Sequence, residues 1–343
     1  MIVTITGAFR NVGDHLIGHR ARILLKKYVD SEIVNINRNH IGDYEYRIMN
    51  EADAVILCGG PAYQESIYPK VYPLNLDRIK RPVIPMGLGW KSGLDQSPEK
   101  FDFTPEAKKF VQSVHSNISL SSVRDILTEQ VIRNNGIDNV LMTGCPAWYD
   151  PEYFDKDYKF IKEIKQVNVS MPAKYHPQIP LLLSYLKTKF PDAKYIATFH
   201  HGFWTQISRT GLWSSVNFLK MAFIAILKLY SIKDLSKEID KLSIYDEPQS
   251  LHIGYRVHAH LYCLSHKKDS VLINEDVRGR GQAESLNLRS FDISDMSIDE
   301  KLDEYFNNHV KTEGAEIRAA LSKIEETFLV MQKFLESIKT NKV

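Results

Sequence analysis

The sequence predicts an α/β fold made of two Rossmann-like lobes, each built on a parallel β-sheet. Short apolar runs bounded by glycine and proline alternate with longer amphipathic stretches, which is typical of parallel strands joined by crossover helices. This series ends near "TGCPAWYD", and a new one begins at residue 166. A chain of 343 residues with 43% hydrophobic residues is also long enough to bury two separate cores.

The strand and helix signals divide the chain into three regions. Region 1–160 has strand signals at 2–7, 32–36, 53–60, 82–89, 117–122 and 139–144, and helix signals at 15–28, 104–115 and 124–135. Region 161–310 has strand signals at 166–172, 194–202, 249–255 and 269–276, and a helix signal at 178–189. Region 311–343 holds a last helix, and its apolar stripe predicts packing against the lobes rather than a coiled coil.

The stretch "SSVNFLKMAFIAILKLYSIK", residues 214–233, departs from this scheme because it is strongly apolar. Lys220 and Lys228 interrupt it, so no apolar run approaches the ~20 residues that a helix needs to span a bilayer. We expect a buried helix of the second lobe. The alternative is an interfacial helix that contacts a lipid-linked substrate, which would bring peripheral contact with the membrane.

Composition limits the class of partner and the compartment. The chain has 44 Lys and Arg against 42 Asp and Glu, so its bulk charge gives no reason to expect nucleic acid as a partner. The three cysteines are far apart and lack metal-binding spacing, which predicts a reducing compartment without disulfides. No secretory signal is recognisable at "MIVTITGAF", so we expect a cytoplasmic protein.

The carboxyl ends of the first-lobe strands are where ligands of open α/β sheets bind. Asn11 and Asp14 follow the first strand in a loop that is neither GxGxxG nor a Walker loop. Gly59 and Gly60 end the third strand, and Arg124 lies in "SSVRD" at a later strand-to-helix junction. Each of these signals has a structural alternative, because Asn and Asp cap helices and paired glycines form tight turns.

The strand ends of the second lobe are cationic. His201 lies in "FHHG", Arg256 and His258 lie in "YRVHAHL", and Arg278 and Arg280 flank a glycine in "NEDVRGRGQ". Arginine forks, an imidazole and the backbone N–H groups of a helix start together favour an anion that carries phosphate or carboxylate.

The other histidines of this stretch point to structure rather than metal binding. His260 and His266 are expected on a helix surface or in the core. His258 and His260 have HxH spacing, but no third ligand accompanies them at a convincing distance along the chain, so we expect no metal site.

Taken in order, five short motifs resemble the polysaccharide pyruvyl transferase family. They are "NVGD", "CGGP", "SSVRD", "TGCPA" and "YRVHAHL", and with their spacing they span roughly residues 1 to 285. The family is similar in fold to the two-lobed B-type glycosyltransferases, and its members transfer the enolpyruvyl unit of phosphoenolpyruvate to a sugar, usually as a cyclic ketal. The resemblance implies this activity on a precursor of a capsule or another surface or extracellular polysaccharide.

The resemblance also implies roles for individual residues. Arg256 and His258 occupy the R-x-H motif of the family, and Arg124 its first-lobe arginine. We expect His258 to act as the acid and Asp14 as the base for the acceptor hydroxyl. The expected substrate-binding residues are Arg256, Arg124, Arg278, Arg280, Asn11, Gly59, Gly60 and His201.

The partners implied are phosphoenolpyruvate as donor and a sugar or lipid-linked oligosaccharide as acceptor, with no metal or organic cofactor. Region 161–310 would then bind the donor, and region 1–160 the acceptor. Two alternatives stay open on the residues alone. One is a B-type glycosyltransferase whose nucleotide sugar would use the same cations, and the other is a non-catalytic sugar-binding subunit.

Overall fold

The first sheet lies in the N-terminal part of the chain. The computed structural model describes residues 1–201 and 212–340. Its first elements are β1 (Ile2–Thr6), α1 (Val12–Val29), β2 (Ile33–Asn37), α2 (Asp43–Glu51), β3 (Ala54–Cys58), β4 (Val83–Met86), α3 (Pro105–Ser116), β5 (Ser121–Val123), α4 (Ile126–Asn134) and β6 (Val140–Met142). The strands β2-β1-β3-β4 form a parallel sheet, which a bridge between Leu88 and Val123 extends to the β5-β6 pair.

The second sheet is also parallel and has the order β12-β11-β10-β7-β8-β9. Its strands β7 and β10 are buried along their whole length, as expected for a sheet with helices on both faces. The elements are β7 (Gln166–Ser170), α5 (Ile179–Lys189), β8 (Lys194–Phe199), α6 (Leu212–Leu227), β9 (Ser231–Asp234), β10 (Ser250–Gly254), α7 (Val257–Ser265), β11 (Ser270–Asn274), α8 (Val277–Ser285), β12 (Phe291–Asp292) and α9 (Ile298–Lys311).

The last helix, α10 (Ala315–Thr340), follows the second sheet but packs against α1 of the first. Its residues Ile317, Met331 and Leu335 share one hydrophobic core with residues of α1 and of α7. This core joins the two sheets on the side of α1, so the carboxyl ends of both sets of strands are held facing each other across a cleft.

The predicted α/β fold with two parallel-sheet lobes is confirmed, with differences in detail. The strand predicted at 117–122 begins only at Ser121, because the Asn139 amide binds the carbonyls of His115 and Ile118 and holds the preceding segment as a turn. Cys58, Cys145 and Cys263 are buried free thiols.

The helix expected at 214–233 is shorter than predicted and is not wholly buried. It ends at Leu227, and Leu219 and Phe223 on its outer side are 62% and 61% exposed. No helix in the two described ranges is long and apolar enough to cross a membrane.

Candidate active site

A cavity of about 240 Å³ lies where the strand ends of the two sheets meet. The first lobe contributes four residues to its wall, Asn11, Asp14, Pro61 and Lys91. The second lobe contributes the polar side chains of His200, His201, Arg256, His258, Glu275 and Arg278. The position agrees with the rule that α/β sheets bind ligands beyond their carboxyl ends.

Arg256 is held in the wall by the neighbouring strand. It is the residue before α7, and its backbone N–H donates to Ser170 Oγ at 3.0 Å while its Nε donates to the Met171 carbonyl at 2.8 Å. Its Nη1 lies 3.6 Å from Glu275 Oε2. Burial lowers the pKa of Arg256, and Glu275 opposes that effect. The guanidinium is therefore fixed in direction, and a loose ion pair with Glu275 partly compensates its charge.

A chain of buried hydrogen bonds supports Arg256 from behind. Ser170 Oγ lies 2.9 Å from His252 Nε2, His252 Nδ1 lies 2.7 Å from Ser270 Oγ, and Ser270 Oγ lies 2.7 Å from His260 Nδ1. Ser170 Oγ accepts from the Arg256 N–H, and the other three contacts join His252, Ser270 and His260 to it in series. His260 is thus a structural residue, as expected, and it fixes α7 against β11.

His258 lies in the first turn of α7 and contacts the other lobe. It is only 7% exposed, and its Nε2 has no hydrogen-bond partner within residues 1–201 and 212–340. A Cβ placed on Gly13 would lie 2.6 Å from His258 Nδ1, so only glycine lets the start of α1 approach the ring this closely. Burial, together with Arg124, Arg278 and Arg256, lowers the pKa of His258 to about 3. The imidazole is therefore neutral in the free protein.

Arg278 reaches the cavity and Arg280 does not. The Arg278 guanidinium is oriented by the Asp276 carboxylate, which caps α8 and accepts from Arg278 Nε at 2.8 Å. Arg280 points to the opposite side of α8, where its Nη2 donates to Asp292 at 2.6 Å and its Nη1 to the Leu94 carbonyl at 3.1 Å. A ligand role for Arg280 would require it to leave both partners.

The first-lobe residues Asn11 and Asp14 are placed by the start of α1. Asn11 caps the helix, since its Oδ1 accepts from the Gly13 N–H at 3.2 Å, and it also lines the cavity. The backbone N–H of Val12 donates to the His200 carbonyl at 3.1 Å, which ties this helix start to the end of β8. Burial raises the pKa of Asp14, and Asn11 and Arg278 oppose the rise.

Arg124 lies behind the cavity rather than on its wall. It is 1% exposed, its Nε donates to Asp125 at 3.0 Å, and its Nη2 donates to the Trp90 carbonyl at 2.9 Å. Gln282 of α8 binds the Arg124 carbonyl and the Asp125 carboxylate, so this cluster connects the two lobes. Arg124 is thus a buried charge whose field acts on His258, and its contact with substrate stays a prediction.

The paired glycines have packing roles in the structure, and their contact with a ligand stays a prediction. Gly59 has φ +56°, and a Cβ there would lie 2.0 Å from Ile17 of α1. Gly60 has φ +84° and uses its carbonyl to accept from the Gly89 N–H at 2.9 Å. Neither forms the cavity wall, although Pro61, the next residue, does.

Two charged wall residues, Lys91 and Glu275, are not among the predicted site residues. Lys91 follows β4 by a few residues in "GLGWKSG", so the strand-end rule points to it as well. Burial lowers the pKa of Lys91, as does the neighbouring Arg278. Glu275 follows β11 directly and also accepts from the Ala173 N–H at 2.6 Å.

Solved structures with similar folds include enzymes that act on nucleotide sugars. A glycosyltransferase from Rickettsia africae has a TM-score of 0.55 at 12% identity, over 99% of this chain and 98% of that chain. A putative UDP-N-acetylglucosamine 2-epimerase from Listeria monocytogenes has a TM-score of 0.56 at 10% identity, over 93% of both chains. The UDP-GlcNAc 2-epimerase from Neisseria meningitidis has a TM-score of 0.53 at 11% identity, over 98% of this chain and 100% of that chain. At these identities the likeness shows the fold alone, which is that of B-type glycosyltransferases.

The sequence comparison is more specific. No curated protein matches the chain. Residues 11–277, however, match the sequence profile of polysaccharide pyruvyl transferases. The matched range begins at Asn11 and ends at Val277, so it includes the strand ends of both lobes that form the cavity. The match covers most of the chain, and the protein therefore belongs to the polysaccharide pyruvyl transferase family.

Proposed function

We propose that the protein transfers the enolpyruvyl unit of phosphoenolpyruvate to a sugar of a polysaccharide precursor and forms a pyruvate ketal. One observation carries this proposal: a neutral, buried His258, whose Nε2 has no partner among the described residues, lies in the same small cavity as Arg256, Arg278 and Lys91. Such a site combines anion binding with a group that gains a proton when an anion arrives.

The charge of the cavity suits the donor. Phosphoenolpyruvate carries a phosphate and a carboxylate, and the wall has three cations against the carboxylates of Asp14 and Glu275. Arg256 and Arg278 can each present a planar fork to one of these groups. Because both guanidinium groups are already held by neighbouring residues, little ordering is needed on binding.

The proton step belongs to His258. A bound polyanion offsets the field of the arginines and raises the pKa of the imidazole, which then takes up a proton. His258 gives this proton to the methylene carbon, so the C=C bond becomes a methyl group and the adjacent carbon becomes oxocarbenium-like. The surrounding cations hold the phosphate and carboxylate while charge moves.

Ring closure follows at the same carbon. A first sugar hydroxyl attacks it and passes its proton to Asp14, whose raised pKa favours accepting one. The C–O bond to phosphate then breaks, a second hydroxyl takes its place, and its proton leaves with the phosphate. The scheme uses no metal or organic cofactor, because the enol phosphate is already an activated leaving group.

The acceptor enters from the first lobe in this scheme, beside Asn11 and Asp14. We propose that the acceptor is a sugar or a lipid-linked oligosaccharide. The protein would then work in the cytoplasm, and at the inner face of a membrane when the acceptor is lipid-linked.

The size of the cavity argues against a nucleotide sugar as donor. Its volume of about 240 Å³ is below the ~300–1,000 Å³ that is typical of pockets for drug-sized ligands. A nucleotide sugar is larger than this space, whereas phosphoenolpyruvate is a compact molecule.

Thermal unfolding with each donor tests the proposal. Phosphoenolpyruvate at a hundred times its dissociation constant should stabilise the protein by ~2.7 kcal/mol and raise its melting temperature. Nucleotide sugars at the same concentration should leave the melting temperature unchanged. Stabilisation by a nucleotide sugar, with none by phosphoenolpyruvate, would favour the glycosyltransferase alternative instead.

A further inference from the structure

The helix α6 is apolar on both of its sides. Its inner side is buried in the second lobe, where Phe218, Met221 and Ala225 join the core around β8. Its outer side and the turn after it expose Val216 (47%), Leu219 (62%), Phe223 (61%), Ile226 (56%), Leu227 (63%) and Leu229 (76%). We call these six residues the α6 face. A surface helix normally presents polar residues to water, so a contiguous apolar face of this kind marks an interaction surface.

The charged residues on α6 and directly after it are positive. Lys220 is exposed and Lys228 is half-buried, while the sequence has no Asp or Glu from Val216 to Lys233. An apolar face flanked by lysines and free of carboxylates is complementary to an anionic lipid surface, where acyl chains lie beneath negative headgroups.

The α6 face also lies on the part of the lobe that borders the cavity. Lys220 Nζ packs 3.7 Å from the centre of the Tyr175 ring. Tyr175 belongs to the loop between β7 and α5, and Ala173 in the same loop lines the cavity. A surface that covers α6 would therefore lie near the second-lobe side of the cavity.

We propose that the α6 face docks the protein on an anionic lipid bilayer. A second copy of the chain fits the surface less well, because a two-fold symmetric contact would bring the lysines of both copies together without a carboxylate on the helix to pair with them. The docking does not depend on the reaction. Only its purpose, the delivery of a lipid-linked acceptor to the cavity, rests on the proposed function.

Vesicle sedimentation tests the docking without any enzymatic readout. Wild-type protein is mixed with vesicles of phosphatidylcholine alone, or of phosphatidylcholine with one third phosphatidylglycerol. Two lysines at ~1 kcal/mol each predict about thirtyfold tighter binding to the anionic vesicles. The double variant Leu219→Glu, Phe223→Glu should lose binding to both kinds of vesicle by at least about tenfold, because each change places a charge where an apolar side chain would enter the lipid.

A matched control removes an exposed leucine elsewhere. Leu329 on α10 is 62% exposed, like Leu219, so Leu329→Glu should leave vesicle binding unchanged. A further variant, Phe223→Trp, keeps the face apolar and should show a blue-shifted fluorescence when anionic vesicles are added. The melting temperature of every variant is compared with that of wild type to show that it is folded.

Three results would overturn the proposal. The first is that wild-type protein and Phe223→Trp remain in solution with anionic vesicles. The second is equal loss of binding in Leu329→Glu and in the double variant. The third is a wild-type dimer in sedimentation velocity that the double variant converts to a monomer, which would assign the face to a second copy. None of these results bears on phosphoenolpyruvate binding, so failure here and failure of the proposed reaction are distinguishable.

Discussion

The two walls of the cavity differ in how their side chains are held. On the second-lobe wall, Arg256 is fixed by a hydrogen bond to the Met171 carbonyl and Arg278 by one to Asp276, and a relay of serine and histidine side chains lies behind Arg256. On the first-lobe wall, Asn11 and Asp14 depend mainly on the start of one helix. In the proposed reaction, the rigid wall binds the small donor and the simpler wall binds the acceptor.

His258 belongs to the second lobe but depends on the first. Its ring packs against Gly13, and the charge that most lowers its pKa after burial is that of Arg124. The acid of the proposed reaction therefore sits at the contact between the two walls. Substitutions on one wall or the other separate the contribution of each wall to donor binding and turnover.

The largest effect is expected from His258→Gln. Glutamine fills the space but cannot carry the proton, so turnover should fall by about a hundredfold to ten-thousandfold. Phosphoenolpyruvate affinity at pH 7, measured by calorimetry, should fall by only about tenfold, because the variant cannot form the imidazolium that donor binding favours. Full turnover in the variant, or loss of donor binding with no separate effect on turnover, would contradict the assigned division of roles.

Arg256→Ala should weaken donor binding rather than the chemical step. Removing one partner of a buried charge pair costs ~2–5 kcal/mol, which corresponds to a dissociation constant raised by tens to thousands of times. Arg256→Lys should restore part of the affinity, because an ammonium group keeps the charge but not the bidentate fork. Arg280→Ala is the matched control, since Arg280 lies outside the cavity, and its dissociation constant should stay within about threefold of wild type.

Asp14→Asn tests the first-lobe wall. The amide cannot accept the acceptor's proton, and turnover should drop by about tenfold to a hundredfold in assays of phosphate release. Donor affinity should not weaken, because one negative charge has been removed from an anion site. A loss of phosphoenolpyruvate binding without a loss of turnover would mean that the two walls are assigned the wrong way round.

A smaller effect is expected from Gly13→Ala. The new Cβ would meet the His258 ring within 3 Å and displace it. Turnover should fall by about tenfold while donor affinity is nearly unchanged, because a displaced acid is mispositioned but Arg256 and Arg278 are not. The control is Gly42→Ala at the start of α2, whose nearest contact is an ordinary 3.4 Å to Glu45. Equal losses in both variants would indicate general destabilisation instead.

The sequence predicted the fold well because hydrophobic periodicity and strand-end position are local properties. The same rule found Arg256, His258, Asp14 and Arg278. The rule did not separate Arg278 from Arg280. Residues two apart on a helix point roughly 200° from each other. Which of the two arginines faces the cavity depends on where the helix begins. In the structure α8 begins at Val277, and Arg278 is the arginine that reaches the cavity.

The remaining discrepancies are non-local. Gly59 is a glycine because Ile17 packs on it, and Arg124 lies behind the cavity because the Trp90 carbonyl and Gln282 bind it. These partners come from distant parts of the chain, and no spacing rule connects them. The sequence left the α6 face open between a buried and an interfacial helix, since apolar residues on both sides of a helix normally predict burial.

Proton uptake on donor binding tests the central claim most directly. Free His258 is neutral at pH 7, and we predict that phosphoenolpyruvate raises its pKa far enough for the complex to gain up to one proton. Titration calorimetry in two buffers of different ionisation enthalpy measures this number. Comparison with His258→Gln subtracts any proton change of the ligand itself. Wild type should take up more protons than the variant, by close to one, and its donor affinity should fall as pH rises through the raised pKa. Equal proton uptake by the two proteins, with phosphoenolpyruvate bound to both, would contradict His258 as the acid.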